Sequence, residues 1–183
     1  GIFDIVRRGI CEMGTSSASY MSDAATTAAF AYGIPGTLQD YWQQSHYQKN
    51  LGVEAMMSAE TEARGVIYRQ EKAYPTELVL SRPVESAEDF RTLKLRSSGA
   101  ILDYLSAAGA SASYIPGSEL YQALASGVVD GAHWGAAVGA SSMSLWEICK
   151  LHMKPALAFT CDAWILNADA VEALPDDLRL KLM

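Results

Sequence analysis

Between Leu93 and Trp134 the chain alternates between extended and helical patterns, and that alternation limits the folds open to it. Leu93-Lys94-Leu95-Arg96 is a short extended run that stops at Ser97-Ser98-Gly99. Ile101, Leu102 and Leu105 then recur at helical spacing until Gly109 closes the helix. Ala112 to Ile115 is a second extended run. It is stopped by Pro116-Gly117-Ser118, where Ser118 is placed to cap a helix that carries Leu120, Tyr121 and Leu124 and closes at Gly127. Val128-Val129 opens a third strand, leading into Asp130-Gly131-Ala132-His133-Trp134. Helical crossovers of this length join parallel strands and are right-handed. Arg96, Pro116-Gly117-Ser118 and His133-Trp134 are therefore expected on one carboxyl edge of one sheet, which is where open α/β sheets bind ligands.

With 183 residues, 50% of them hydrophobic and 19% charged, the chain can bury a core of one domain or two small ones. Its 14 Lys and Arg against 21 Asp and Glu give a net charge of -7, which argues against a nucleic-acid partner, because phosphate binding needs a basic surface. An anionic small molecule would have to be met by local positive charge. No apolar run approaches the roughly 18 to 20 residues that span a bilayer, so direct membrane insertion is not expected. Cys11, Cys149 and Cys161 lack CxxC spacing and are read as buried thiols, with one disulfide as the alternative.

Elsewhere the pattern predicts a helix ending at Gly9, a short strand over 10–14, a loop rich in small residues through Ser19, and a mostly helical stretch from Leu38 to about Met57. In that stretch Leu38, Tyr41, Trp42 and Tyr47 form a buried stripe. Strands are expected around 65–68, 76–82 and 159–167. Ser86-Ala87-Glu88-Asp89 has the form of a capping box. The Gly- and Ala-rich stretch 135–142 leads to a helix through Leu145, Trp146 and Ile148. Helices follow from Ala168 and from Pro175-Asp176. Gly1-Ile2-Phe3 opens directly into an apolar pattern and Leu178 to Met183 stops within one, so the chain reads as the middle of a longer protein.

The string Ser86-Ala87-Glu88-Asp89-Phe90-Arg91-Thr92-Leu93-Lys94-Leu95-Arg96, then Gly117-Ser118-Glu119-Leu120-Tyr121-Gln122-Ala123-Leu124, then Gly127-Val128-Val129-Asp130-Gly131-Ala132-His133-Trp134, resembles the solute-binding subunits of tripartite ATP-independent periplasmic (TRAP) transporters, the DctP type. Phe3 to Gly9, Glu12-Met13-Gly14 and Ala173-Leu174-Pro175-Asp176-Asp177-Leu178 are similar to that family's pattern as well.

The resemblance implies an α/β, two-lobed periplasmic-binding-protein-like fold of type II, with parallel-rich sheets and flanking helices, incomplete at both termini. It places 1–75 in lobe I, 76–130 in lobe II, 131–158 back in lobe I, and 159–183 in lobe II and the start of further helices, with crossing strands joining the lobes. It further implies a bacterial periplasmic receptor that closes over a small organic acid and hands it to membrane permease subunits. Arg96 would take the ligand carboxylate, a role that suits a planar guanidinium with two parallel donors. Trp134 and His133 would line the cleft, joined by Glu77 and, more weakly, by Asp162 and Tyr74. Keto-acid binders of the family often carry Glu at the place of His133, where it helps to hold a metal ion. With His there no cofactor is required, and a cation accompanying the ligand is left open.

Two other classes share such a sheet edge. An α/β enzyme acting on a small carboxylic acid could use Arg96, His133 and Asp130 as an acid and base set, but the chain has no GxSxG, GxGxxG, Walker or HExxH motif. The effector-binding lobe of a regulator would come with a basic helix-turn-helix, and the sequence shows none.

Overall fold

The extended segments become eight strands in this computed structural model, which describes residues 1–182: β1 Met13–Ser17, β2 Val66–Thr76, β3 Leu78–Leu80, β4 Lys94–Arg96, β5 Ser111–Ser113, β6 Gly131–His133, β7 Leu151–His152 and β8 Ala158–Asn167. They form a three-stranded sheet in the order β1-β8-β2 and a five-stranded sheet in the order β5-β4-β6-β3-β7. The chain divides into two compact units. One holds Gly1–Tyr32, Ser45–Ala73 and the chain from Cys161 onward, and the other holds Gly33–Gln44 and Tyr74–Thr160. Strands β2 and β8 each begin in one unit and end in the other.

The unit built around 74–160 carries the five-stranded sheet. Leu78, Val79 and Leu80 are all buried, as an unbroken apolar run demands of a strand covered on both faces, and β3 pairs antiparallel with both β6 and β7. Strand β4 lies parallel to β5 and β6, with Arg96 opposite Ser113 on one side and Ala132 on the other. The parallel arrangement is thus confined to β5-β4-β6. Its crossover helices, Gly99–Ala107 and Gly117–Ala125, bury Ile101 and Leu105, and Leu120 and Leu124. The last two join Val79, Val129, Ala132, Ala140, Leu145 and Cys149 in a common core. The sheet is tight enough that a Cβ on Gly131 would stand 2.5 Å from the Val79 carbonyl oxygen.

Local signals met the backbone with mixed success. Ser86 accepts from the Asp89 amide and the Asp89 carboxylate accepts from Ser86, a complete capping box for the helix Ala87–Arg91 that delivers the chain to β4. Ser118, in contrast, caps nothing. Pro116 already takes the extended cap conformation, so the helix starts at Gly117 with Ser118 inside its first turn. The third strand starts at Gly131 rather than at Val128, because the Asp130 carboxylate turns back to accept from the Lys94 amide at 2.8 Å. The expected helix through Leu145 to Ile148 is instead a helix at Ala137–Ser142 and a 3-10 turn at Leu145–Glu147.

In the other unit β1 runs antiparallel to β8, from Met13 opposite Leu166 to Ser17 opposite Asp162. Ile67, Leu166 and Val171 form a core there with Ala168. Asn167 caps the following helix by accepting from the Ala170 amide at 2.9 Å, and donates to the Val6 carbonyl at 2.9 Å. The long helix expected over 38–57 is two helices, Tyr41–Lys49 and Val53–Glu62, separated at Gly52 with φ +84. Tyr41 and Trp42 are exposed, and the residues buried on the first helix are Gln44 and Gln48.

The lobe boundaries read from the sequence differ from these units. Residues 131–158 stay with 76–130 because β6 and β7 are the two neighbours of β3, and the chain from Cys161 joins residues 1–32 because β8 pairs along β1. The three cysteines are thiols, Cys149 and Cys161 buried and Cys11 exposed, against the reading that buried all three.

Candidate functional site

The carboxyl ends of β4, β5, β6 and β7 share an edge with the amino end of β3, since β3 alone runs the other way. Arg96 ends β4 there, at 1% exposure. Its Nε donates to the Ile115 carbonyl at 2.9 Å and its Nη1 to the His133 carbonyl at 3.0 Å. The Trp134 ring lies over the guanidinium, 4.8 Å from centroid to Cζ, and the Tyr114 ring lies 5.8 Å away. Two carbonyls and two aromatic rings therefore set the plane of a buried cation.

His133, at the end of β6, is buried, with Nδ1 3.0 Å from the Ser97 hydroxyl. Burial, and then the Arg96 charge, push its pKa down to about 3. Near neutral pH it is an uncharged imidazole, with one nitrogen to donate and one to accept.

Glu77 precedes β3, and its amide donates to the Gly135 carbonyl at 3.1 Å, which fixes it beside the exit of β6. Its carboxylate is 4% exposed and accepts from the Lys154 ammonium, while His152 Nε2 lies 2.6 Å from its other oxygen. These partners offset the cost of burying a carboxylate. Tyr74 packs near Gly135, where an added Cβ would meet its ring at 3.1 Å.

The sequence model of the bacterial extracellular solute-binding protein family 7, DctP, matches residues 1–183. The chain belongs to that family. This DctP-family chain is 26% identical over 137 residues to the monocarboxylate 2-oxoacid-binding periplasmic protein of a Nostoc species, a match covering 73% of the chain and 37% of the relative. Among solved structures it is similar to a TRAP periplasmic solute-binding protein of Pseudoalteromonas atlantica with sodium and pyruvate bound. There the TM-score is 0.83 and the identity 24%, over 100% of this chain and 56% of that one. A TRAP solute-binding protein of Chromohalobacter salexigens with (S)-(+)-2-amino-1-propanol bound matches at TM-score 0.88 and 18% identity, over 99% of this chain and 58% of that one. The chain spans little more than half the length of these structures and a smaller share of the curated relative. The likeness shows the fold, the mixed α/β fold of the TRAP solute-binding proteins.

Of the residues singled out in the DctP-family sequence, Arg96, His133, Trp134 and Glu77 share the one edge. Asp162 belongs to the other unit, where its carboxylate lies 3.3 Å from the Lys72 ammonium. The Arg96, His133 and Asp130 set is not assembled: Asp130 precedes β6, at the opposite end from His133, with its carboxylate on the Lys94 amide and 3.7 Å from Arg82 Nε. Sequence reasoning missed Ser97, Tyr114, His152 and Lys154. Tyr114 and Ser97 each follow a strand end already marked as chemical, and that position was the available signal. Nothing local marks His152 or Lys154.

Proposed function

We propose that the chain is the solute-binding part of a bacterial periplasmic receptor of a TRAP transporter, taking a small organic acid by its carboxylate and passing it to membrane permease subunits. The observation that carries this reading is Arg96, a buried guanidinium whose plane is held by two main-chain carbonyls and Trp134. A cation fixed in this way is preorganised for a bidentate carboxylate, since the ligand does not have to order it. Family membership supports the receptor role, and among the described residues no helix is long and apolar enough to cross a membrane.

His133 is uncharged and Glu77 is paired with Lys154, while Arg96 brings a positive charge to this group. The same residues do not suit the sodium found with pyruvate in the Pseudoalteromonas structure. Hard cations are held by oxygen ligands. Here His133 presents nitrogen, and the Glu77 carboxylate is held by an ammonium with an imidazole against it. The acid is bound without a metal ion.

The test is Arg96→Ala against the native chain, by calorimetry with pyruvate, lactate and malonate. Loss of binding by about a hundredfold or more, ~2.7 kcal/mol, is expected for whichever acid binds the native chain. Affinity retained within about threefold, ~0.7 kcal/mol, would rule out the carboxylate clamp.

A further inference from the structure

Gly117 and Gly139 both lie in helices, and for neither is the backbone in the left-handed region that calls for glycine. Alanine is the better residue in a helix, so local conformation does not account for them. Their surroundings do. A Cβ on Gly117 would collide with Cη2 at the far edge of the Trp134 ring and stand 3.2 Å and 3.3 Å from Cζ3 and Cζ2. A Cβ on Gly139 would stand 2.9 Å from the Trp134 carbonyl oxygen, 3.5 Å from Cδ1 and 3.9 Å from Nε1. The indole is therefore bounded by a glycine at each end of its long axis, and its face covers Arg96 at 4.8 Å. A rigid ring in such a slot cannot slide to make room for a methyl group, as a flexible side chain would.

We infer that Gly117 is a positioning residue: its lack of a side chain seats the Trp134 indole on the Arg96 guanidinium, and the seat fixes the plane in which an acid's carboxylate must approach. The inference rests on the reading of Arg96 as the carboxylate clamp. With its face covered by the indole, the guanidinium is addressed along its edge, the geometry of a paired contact to both carboxylate oxygens. Gly117 touches no ligand in this scheme and acts through Trp134 alone.

Gly117→Ala, Trp134→Phe and the double variant test this, compared with the native chain. One readout is the near-ultraviolet circular dichroism of Trp134, defined as the part of the spectrum that Trp134→Phe removes. The other is affinity for pyruvate. Gly117→Ala is expected to change the Trp134 band and to weaken pyruvate binding about tenfold or more. In the Trp134→Phe background, whose shorter side chain vacates the space at Cη2, the same substitution should cost less than about threefold. Should Gly117→Ala lower the melting temperature, the double variant should recover it. An unchanged band with affinity within about threefold of native overturns the inference. So does an equal loss in both backgrounds, which would mean that Gly117 acts through something other than Trp134. If the native chain takes up neither pyruvate nor any other small carboxylate, the receptor reading fails. The Trp134 band needs no ligand and still decides whether Gly117 seats the ring.

Discussion

His133 shows how one residue's surroundings set the pH range of the molecule. Buried beside Arg96, its imidazole titrates near 3 instead of the ordinary 6.5. The folded state therefore refuses a proton that the unfolded chain takes up below about pH 6.5. Its contribution to stability is full above that pH and is lost progressively as pH falls toward the folded value. Between about pH 8 and pH 4 the native chain should lose more stability than His133→Gln, by on the order of 3 kcal/mol, in urea unfolding at a series of pH values. Parallel curves for the two proteins would show that the imidazole does not carry this penalty. The shared edge of Arg96, His133 and Trp134 is legible in the sequence because Arg96 and His133 end strands, and Trp134 follows one, in a repeated local pattern. Glu77 was legible as a position, but its partner Lys154 was not. The two meet only because β7 pairs with β3, and no local spacing encodes that pairing. Asp162 lies in the unit that does not contain Arg96, and alternation along an extended run does not say which partner a side chain will meet.

At the scale of elements, the capping box ties a surface turn to the site. Ser86 and Asp89 start the helix that feeds β4, and the Ser86 hydrogen bond, foremost among several, holds the Asp89 carboxyl below its usual range. Ser86→Ala should cost about 1 kcal/mol in urea unfolding, with pyruvate affinity unchanged. An unchanged unfolding midpoint would show that the cap is idle. Helices and strands from Leu93 to Trp134 were readable because 3.6-residue periodicity, glycine stops and short apolar runs agree there. The stretch 38–57 was misread because its aromatic residues suggested the buried stripe, whereas the fold turns Gln44 and Gln48 inward and exposes Trp42. Strand β2, eleven residues long, was seen only at its two ends. Its middle is polar, with Arg69, Gln70 and Glu71 half-buried and Lys72 exposed, and carries no strand signal of its own.

For the molecule as a whole the net charge is -7, so any attraction for an anion at the buried Arg96 would have to be local. On the proposed reading, the donor set at the sheet edge makes binding of the acid independent of metal ions. Pyruvate affinity in EDTA with choline as the only other cation should match that in sodium or calcium within about threefold. A tenfold loss on removing them would mean that a cation completes the site after all. The division of the chain was the least legible feature, because both units are assembled from separated segments and only the strand pairings reveal which belong together. The thiols follow burial as well: Cys149, pushed by burial up to about 11, and Cys161 are enclosed, while Cys11 stands in solvent. A maleimide dye will therefore label the native chain at one position without any mutagenesis, giving a single-site reporter on the unit that does not contain Arg96.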